Sequence, residues 1–274
     1  MRVLITHTDL DGLGCAILAI ADGLADRVYC VTNADVTKMP LEDDVTITDL
    51  YIMNAPDNVT IYDHHDVAVN KGVSDNTRCA TRIYYEEVIT KHNTNRDKFV
   101  FLIDLFDRWQ YFNPGFKEAA DLNRLFEASV NPRTALVYDA GIVDSPFKSF
   151  IEQGLQLLED FTYTINQRAK IAIQRSKEND AYKQLLKNVK ENTDCRCNRY
   201  AITSTCKYIS QIGNRYLDEH PRVRYILHIN GNKVFGRAQT FDLTVLKLKG
   251  HPGAASATFS QSTARGLLSG KVCL

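Results

Sequence analysis

Residues Asn58–Asp66 read NVTIYDHHD, and the core of that stretch, Asp63-His64-His65, decides how the rest of the chain is read. Val59 and Ile61 alternate with their neighbours in the pattern of a buried or half-buried strand. The strand then stops on an acid and two imidazoles. An exposed His-His pair in a loop is the plain alternative. It loses ground because similar endings recur elsewhere in the chain.

Val3–His7 is a short apolar run that ends in His7-Thr8-Asp9-Leu10-Asp11-Gly12. Leu13–Leu24 then carries apolar residues at helical spacing, behind the small residues Gly12 and Gly14. Strand, polar turn and helix in that order open an α/β unit. Arg27–Asn33 reads as a second strand, and Val45–Leu50 as a third that runs into Asp49. The connections are too long for tight hairpins, so a mostly parallel sheet flanked by helices is expected. In such sheets ligands gather outside the carboxyl ends of the strands. Here three strands end in Asp9/Asp11, Asp49 and Asp63-His64-His65. Residues two apart on an extended segment share a face about 7 Å apart, so His7, Asp9 and Asp11 can all face one crevice.

Cys79–Lys91 and Asp97–Phe112 are expected helices. The second carries Asp104, which can pair with Arg108 four residues on. Asp107 has no such partner and follows Ile103 by one turn, toward the buried side, where a carboxylate must be paired or bind a metal. Asp107 is therefore preferred over Asp104 as a ligand. Phe147–Val189 is a long helical pattern that closes the first domain. The polar, turn-rich Lys190–Asp194 then places a boundary, giving domains 1–189 and 190–274. Past it, Arg199–Cys206, Arg224–Ile229 and Lys233–Gln239 read as strands, the last two joined by the hairpin signal Asn230-Gly231-Asn232. Tyr208–Glu219 and Leu243–Lys249 read as helices, which makes a smaller C-terminal α/β domain. The run Gly250-His251-Pro252-Gly253-Ala254-Ala255-Ser256 follows. Its small side chains let backbone N–H groups approach an anion, although an ordinary Gly-Pro turn has the same composition.

Composition narrows the function. The 33 Lys and Arg balance 33 Asp and Glu, so no global field draws in long duplex nucleic acid or a membrane surface. The 7 Cys are odd in number and scattered, which favours a reducing cytoplasm over a disulfide framework. Cys195-x-Cys197 lacks the second close pair of a zinc site. The strand pattern begins at Arg2 with no signal peptide, and no apolar run has transmembrane length. An Asp/His cluster without Cys suits Mn²⁺ or Mg²⁺. There are more such groups than one ion needs. Two ions about 3.5–4 Å apart, clamping an in-line phosphoryl displacement, fit better. Phosphoester hydrolysis is the first expectation, with other dinuclear hydrolases left open.

Taken in order, His7-Thr8-Asp9-Leu10-Asp11-Gly12, Asp49, Asp63-His64-His65, Asp107 and Gly250-His251-Pro252-Gly253-Ala254-Ala255 resemble the motifs of the DHH phosphoesterase superfamily. The last resembles the signature of the C-terminal DHH-associated domain. The two-domain build is most similar to the oligoribonucleases, or nanoRNases, of that superfamily. The resemblance implies an active site in the interdomain cleft. Asp9, Asp11, Asp49, His64 and Asp107 would bind two Mn²⁺ ions, for which Mg²⁺ or Co²⁺ could substitute, with Asp49 as the bridge. His65 would face the scissile phosphate and Asp63 would orient a neighbouring histidine. Arg237, Gly250, His251 and Gly253 would hold the nucleotide. There are departures: some members place the first ligating histidine at the position of Ile5, and RecJ-type members have Asp where His7 stands. His7 is therefore either a ligand or a neighbour. Lys249 also replaces a glycine of the fuller family signature. The activity implied is cleavage of short oligonucleotides or dinucleotides to mononucleotides. A cyclic mono- or dinucleotide phosphodiesterase is the second reading, and a catalytically silent nucleotide-binding protein the third. The chain is short for a long-strand exonuclease, and a homodimer is left open.

Overall fold

Val3, Leu4 and Ile5 are consecutive and all buried, as a strand covered on both faces requires. The computed structural model describes residues 1–39, 41, 44–65, 69–130, 136–139, 147–239, 241–251 and 254–268, with the backbone alone at 136–139, 249–251, 254, 265 and 268. The chain forms two compact units, Met1–Gln174 and Arg175–Leu274.

The first unit runs β1 (Arg2–His7), α1 (Leu10–Ala21), β2 (Arg27–Val31), β3 (Asp44–Thr48), β4 (Val59–Asp63), β5 (Gly72–Ser74), α2 (Ala80–Glu87), α3 (Thr94–Asp107), α4 (Phe116–Ser129), β6 (Leu136–Asp139) and α5 (Lys148–Glu159). Helix α6 (Ile165–Asn188) crosses the division between the units. The sheet order is β5-β4-β3-β1-β2-β6. Every pairing in it is parallel except β6 against β2. On one side Leu4 packs with Leu13, Ile17, Phe99, Ile103 and Phe150. On the other, Val3 and Ile5 pack with Val45, Ile47, Val59 and Ile61. Gly12 lets α1 press against the end of β1, because a Cβ there would lie 2.4 Å from the His7 carbonyl oxygen.

Several features of this unit differ from expectation, strands β5 and β6 among them, which go beyond the four strands read from the sequence. Helix α4 has no counterpart among the expected elements. The long pattern after Phe147 is two helices, because Thr164 starts a new one. The Thr164 N–H donates to the Gln167 side chain at 2.8 Å, and the Gln167 N–H donates to the Thr164 hydroxyl at 3.3 Å. This is a capping box that the continuous apolar periodicity concealed.

The second unit holds the rest of α6, then β7 (Lys190–Thr193), β8 (Arg199–Thr203), α7 (Ile209–Glu219), β9 (Tyr225–Asn230), β10 (Lys233–Ala238), β11 (Lys249–His251), β12 (Ala254–Thr258) and α8 (Gln261–Leu268). Its sheet is mixed, in the order β11-β12-β10-β9-β8-β7, with β8 and β9 parallel. Lys190–Asp194, expected as a turn, contributes strand β7 instead. The helix expected over Leu243–Lys249 shrinks to a 3-10 turn, Leu243–Leu246, which Lys247 ends in the left-handed region at φ +60°. Leu243, Leu246 and Leu248 are buried, and that spacing imitated a helical stripe. Among the described residues no helix is long and apolar enough to cross a membrane.

Candidate metal centre

Strands β4, β3 and β1 lie side by side and point the same way, with Tyr62 opposite Thr48 and Thr48 opposite Thr6. One residue further along each strand stand Asp63, Asp49 and His7. Polar strand ends that are far apart in sequence therefore become neighbours in one row. Asp9 caps α1, accepting the Gly12 N–H at 3.0 Å, and Asp11 lies in the first turn of that helix. Asp49 sits just past β3 with φ +56°, a left-handed conformation that Asp tolerates better than most residues. Asp107 is the last residue of α3.

The side chains converge. His7 Nδ1 lies 2.7 Å from Asp9 Oδ2 and 3.6 Å from Asp49 Oδ2. His64 Nε2 lies 3.2 Å from Asp49 Oδ1 and 4.0 Å from Asp11 Oδ2, while its Nδ1 lies 3.6 Å from Asp107 Oδ2. His65 Nδ1 is 2.8 Å from Asp63 Oδ1. Three overlapping groups result, each with ligand atoms within 4.8 Å of one another: His7, Asp9 and Asp49; Asp11, His64 and Asp107; Asp49, Asp63, His64 and His65. Asp49 and His64 are each shared by two groups.

The electrostatics are those of a site short of positive charge. Burial pushes the Asp49 carboxyl well above its ordinary range, and the charges of Asp9 and Asp11 push the same way. Burial likewise raises Asp107, with Asp11 adding to it, and raises Asp11. Burial opposes the His7 imidazolium, but Asp9 and Asp49 outweigh it and carry its pKa to about 11. At His64, burial is similarly outweighed by Asp107 and Asp11, so its pKa is raised. Oδ2 of Asp49, of Asp63 and of Asp107 are buried without a hydrogen-bond partner. Orphaned carboxylate oxygens in a mostly oxygen and imidazole donor set fit a divalent cation.

The two acids of α3 have different surroundings. Asp104 Oδ1 accepts the Cys79 N–H at 2.8 Å, and its Oδ2 lies 3.2 Å from Arg82 and 3.7 Å from Arg108. Asp107 faces His64. Beneath the centre lies a framework that no local pattern announced. Asp11 accepts the N–H groups of Ala80 and Thr81, both at 2.8 Å. Together with Asp104 it caps a helix, α2, whose own N-cap residue Cys79 makes no side-chain cap. A hydroxyl chain runs from Thr48 to Thr6 and on to the Gly12 carbonyl, with both links 2.8 Å. Backbone donors leave no signature in sequence. The buried threonines at two strand ends were the one available sign.

In the second unit Arg237 lies on β10, opposite Ala254 of β12, which in turn pairs with His251 of β11. Its guanidinium donates to the Ser210 hydroxyl at 2.8 Å and to the Gly236 carbonyl at 2.7 Å. Burial lowers its pKa to about 10. Gly250 also belongs to β11, and Gly253 lies outside the described residues.

No protein-family model and no curated protein matches the chain. Solved structures do match it. A pGpG-specific phosphodiesterase from Vibrio cholerae aligns with a TM-score of 0.65 at 16% identity, covering 99% of each chain. The DHH domain of a member of a family of ribosomal proteins aligns with a TM-score of 0.61 at 14% identity, covering 98% of this chain and 84% of the other. RecJ from Thermus thermophilus in complex with Mn²⁺ aligns with a TM-score of 0.53 at 14% identity, covering 98% of this chain and 51% of the other. The chain has the fold of DHH-domain proteins.

Proposed function

We propose that this protein is a DHH-superfamily phosphodiesterase that uses divalent metal, Mn²⁺ for preference, to cleave short oligonucleotides and dinucleotides to mononucleotides. The observation that carries the reading is the sharing of Asp49 and His64 among three overlapping ligand groups at the ends of β1, β3 and β4. Sharing of that kind suits two cations rather than one, held by Asp9, Asp11, Asp49, His64 and Asp107, with His7 beside them. Such cations, when bound, supply positive charge for the phosphoryl oxygens and make a water more acidic.

The protein's own groups do the rest. Asp63 fixes the Nδ1 end of the His65 ring and so sets how that imidazole meets the scissile phosphate. Arg237, with Gly250, His251 and Gly253, is proposed as the substrate-phosphate contact of the C-terminal domain, residues 190–274. The catalytic domain is then residues 1–189. Zero formal net charge suits a substrate with few phosphates. The scattered cysteines suit a cytoplasmic setting.

The matched phosphodiesterase from Vibrio cholerae is named for a linear dinucleotide, which favours linear over cyclic substrates. The test is a panel of pApA, pGpG, a pentanucleotide, cyclic di-AMP and 3′,5′-cyclic AMP with Mn²⁺, Mg²⁺ or Co²⁺. Mononucleotides released from the linear members are expected. Hydrolysis of cyclic members alone moves the assignment to the second reading. No turnover with any of the three ions overturns both.

A further inference from the structure

The loop after Asp107 carries chemistry that the metal centre leaves unused. Helix α3 ends in a Schellman turn: the Trp109 N–H donates to the Phe106 carbonyl at 3.1 Å, and the Gln110 N–H to the Leu105 carbonyl at 2.9 Å. The residue at the position of Trp109 in such a turn is commonly glycine, because the backbone is left-handed there. Trp109 occupies it at φ +49°. Its ring makes edge contacts with Phe106 and Phe116, with centroids 5.4 and 5.0 Å away. The loop then folds tightly. Tyr111 N–H donates to the Trp109 carbonyl, Asn113 N–H to the Gln110 carbonyl and Phe116 N–H to the Asn113 carbonyl, each at 2.9 Å. Gly115 N–H donates to Asn113 Oδ1, also at 2.9 Å.

This well-bonded loop holds up a ring that folding does not use. Phe112 is 85% exposed, yet it is fixed against Tyr111 with ring centroids 3.8 Å apart. A lone exposed apolar side chain needs no explanation. An exposed ring set against a half-buried tyrosine, on a braced loop that starts at a carboxylate of the candidate metal centre, has a use if something flat and apolar lies there. Arg108 stands between Asp107 and the pair. It shares the carboxylate of Asp104 with Arg82, at 3.7 Å against 3.2 Å for the other arginine. A cation three residues before Tyr111 on the same stretch of chain matches an anionic ligand that carries aromatic bases.

We propose that Tyr111 and Phe112 form a nucleobase-stacking subsite, with one base of the substrate on the exposed ring of Phe112 and Arg108 beside the phosphate that follows. This rests on the phosphodiesterase reading and adds recognition of the base to it. Every base offers a π-face, so such a platform grips bases without reading their sequence.

Because Phe112 is exposed, replacing it leaves the fold intact. Phe112→Ala should raise KM for pApA by about 10-fold or more, the range expected of one stacked base, with kcat little changed. Phe112→Tyr should restore KM. An abasic dinucleotide should be hydrolysed alike by wild type and Phe112→Ala. Equal KM for pApA in the two proteins overturns the subsite. Binding is measured separately: Trp109 is the single tryptophan of the chain, so its emission reports on this loop as AMP is titrated without metal. Weaker AMP binding by Phe112→Ala supports the subsite even if the wild type hydrolyses nothing, in which case only the phosphodiesterase reading fails. No AMP binding by the wild type, or equal binding by both, overturns the subsite. So does a change from dimer to monomer in Phe112→Ala with AMP affinity unchanged, which would mark a surface for self-association.

Discussion

Oδ1 of Asp63 serves two partners, the His65 imidazole at 2.8 Å and the His64 backbone N–H at 2.9 Å. One carboxylate thereby sets both histidines of the motif, one through its ring and the other through its main chain. Asp63→Asn keeps the shape but changes which proton the oxygen or nitrogen can share with His65. Turnover should fall by about 10- to 100-fold, the usual cost of losing a partner that orients a site histidine. The rise in melting temperature on adding Mn²⁺ should persist. Steady-state kinetics and thermal-shift curves check the two halves. Loss of the Mn²⁺ effect would make Asp63 a ligand instead.

Asp49→Asn separates charge from shape. Asp49 is 2% exposed, and asparagine tolerates its left-handed backbone as well as aspartate does. The substitution removes a buried carboxyl whose ionisation burial, Asp9 and Asp11 all oppose. The metal-free variant should melt higher, by about 2–4 °C for each kcal/mol relieved. Turnover and the stabilisation by Mn²⁺ should both vanish. A metal-free variant that melts lower would contradict the electrostatic account.

His228 predicts the acid behaviour of the second unit. It is 0% exposed, donates from Nδ1 to the Thr205 carbonyl at 2.7 Å, and burial lowers its pKa from 6.5 to about 4. Between those values the unfolded chain binds the proton and the folded chain does not. Stability is therefore complete above pH 6.5, falls as the pH drops, and has lost about 3 kcal/mol from this group by pH 4. Asparagine at this position reproduces the Nδ1 donor without titrating. His228→Asn should flatten the slope of melting temperature against pH over that interval, and an unchanged slope would remove His228 as the cause.

Gly213 leaves room for the same histidine. A Cβ at that position would lie 2.8 Å from His228 Nε2 and 3.3 Å from Arg237 Cγ. Gly213→Ala should cost about 1–3 kcal/mol, as overpacking does, although alanine is the better helix former in α7. Denaturant unfolding measures it, and an alanine variant as stable as the wild type would refute the close fit.

Much of the candidate centre's clustering could be read in advance because its members are polar residues where apolar strands stop. That contrast is local, so it survives without any knowledge of the fold. The choice between Asp104 and Asp107 was also local, through the i,i+4 spacing to Arg108. What could not be read was support supplied by main chain from elsewhere, such as the α2 amides that hold Asp11. The misread elements have different causes. Leu243, Leu246 and Leu248 are buried at intervals that a helix and an irregular segment can both produce. Helix α4 hid for the opposite reason. Its stripe of Ala119, Leu122 and Leu125 is interrupted by a buried Asn123, whose amide donates to Glu127 at 3.1 Å.

The row of strand ends at β1, β3 and β4 has a consequence for the birth of the molecule. With Asp107 of α3 added, the candidate ligands gathered at that row run from residue 7 to residue 107, and Asp107 comes last. During synthesis at about 5–20 residues per second, the earlier acids wait several seconds without their final companion. On the metal-binding reading proposed above, a cation met in that interval would find only part of its cage, and full capture would trail behind the emergence of α3 from the ribosome.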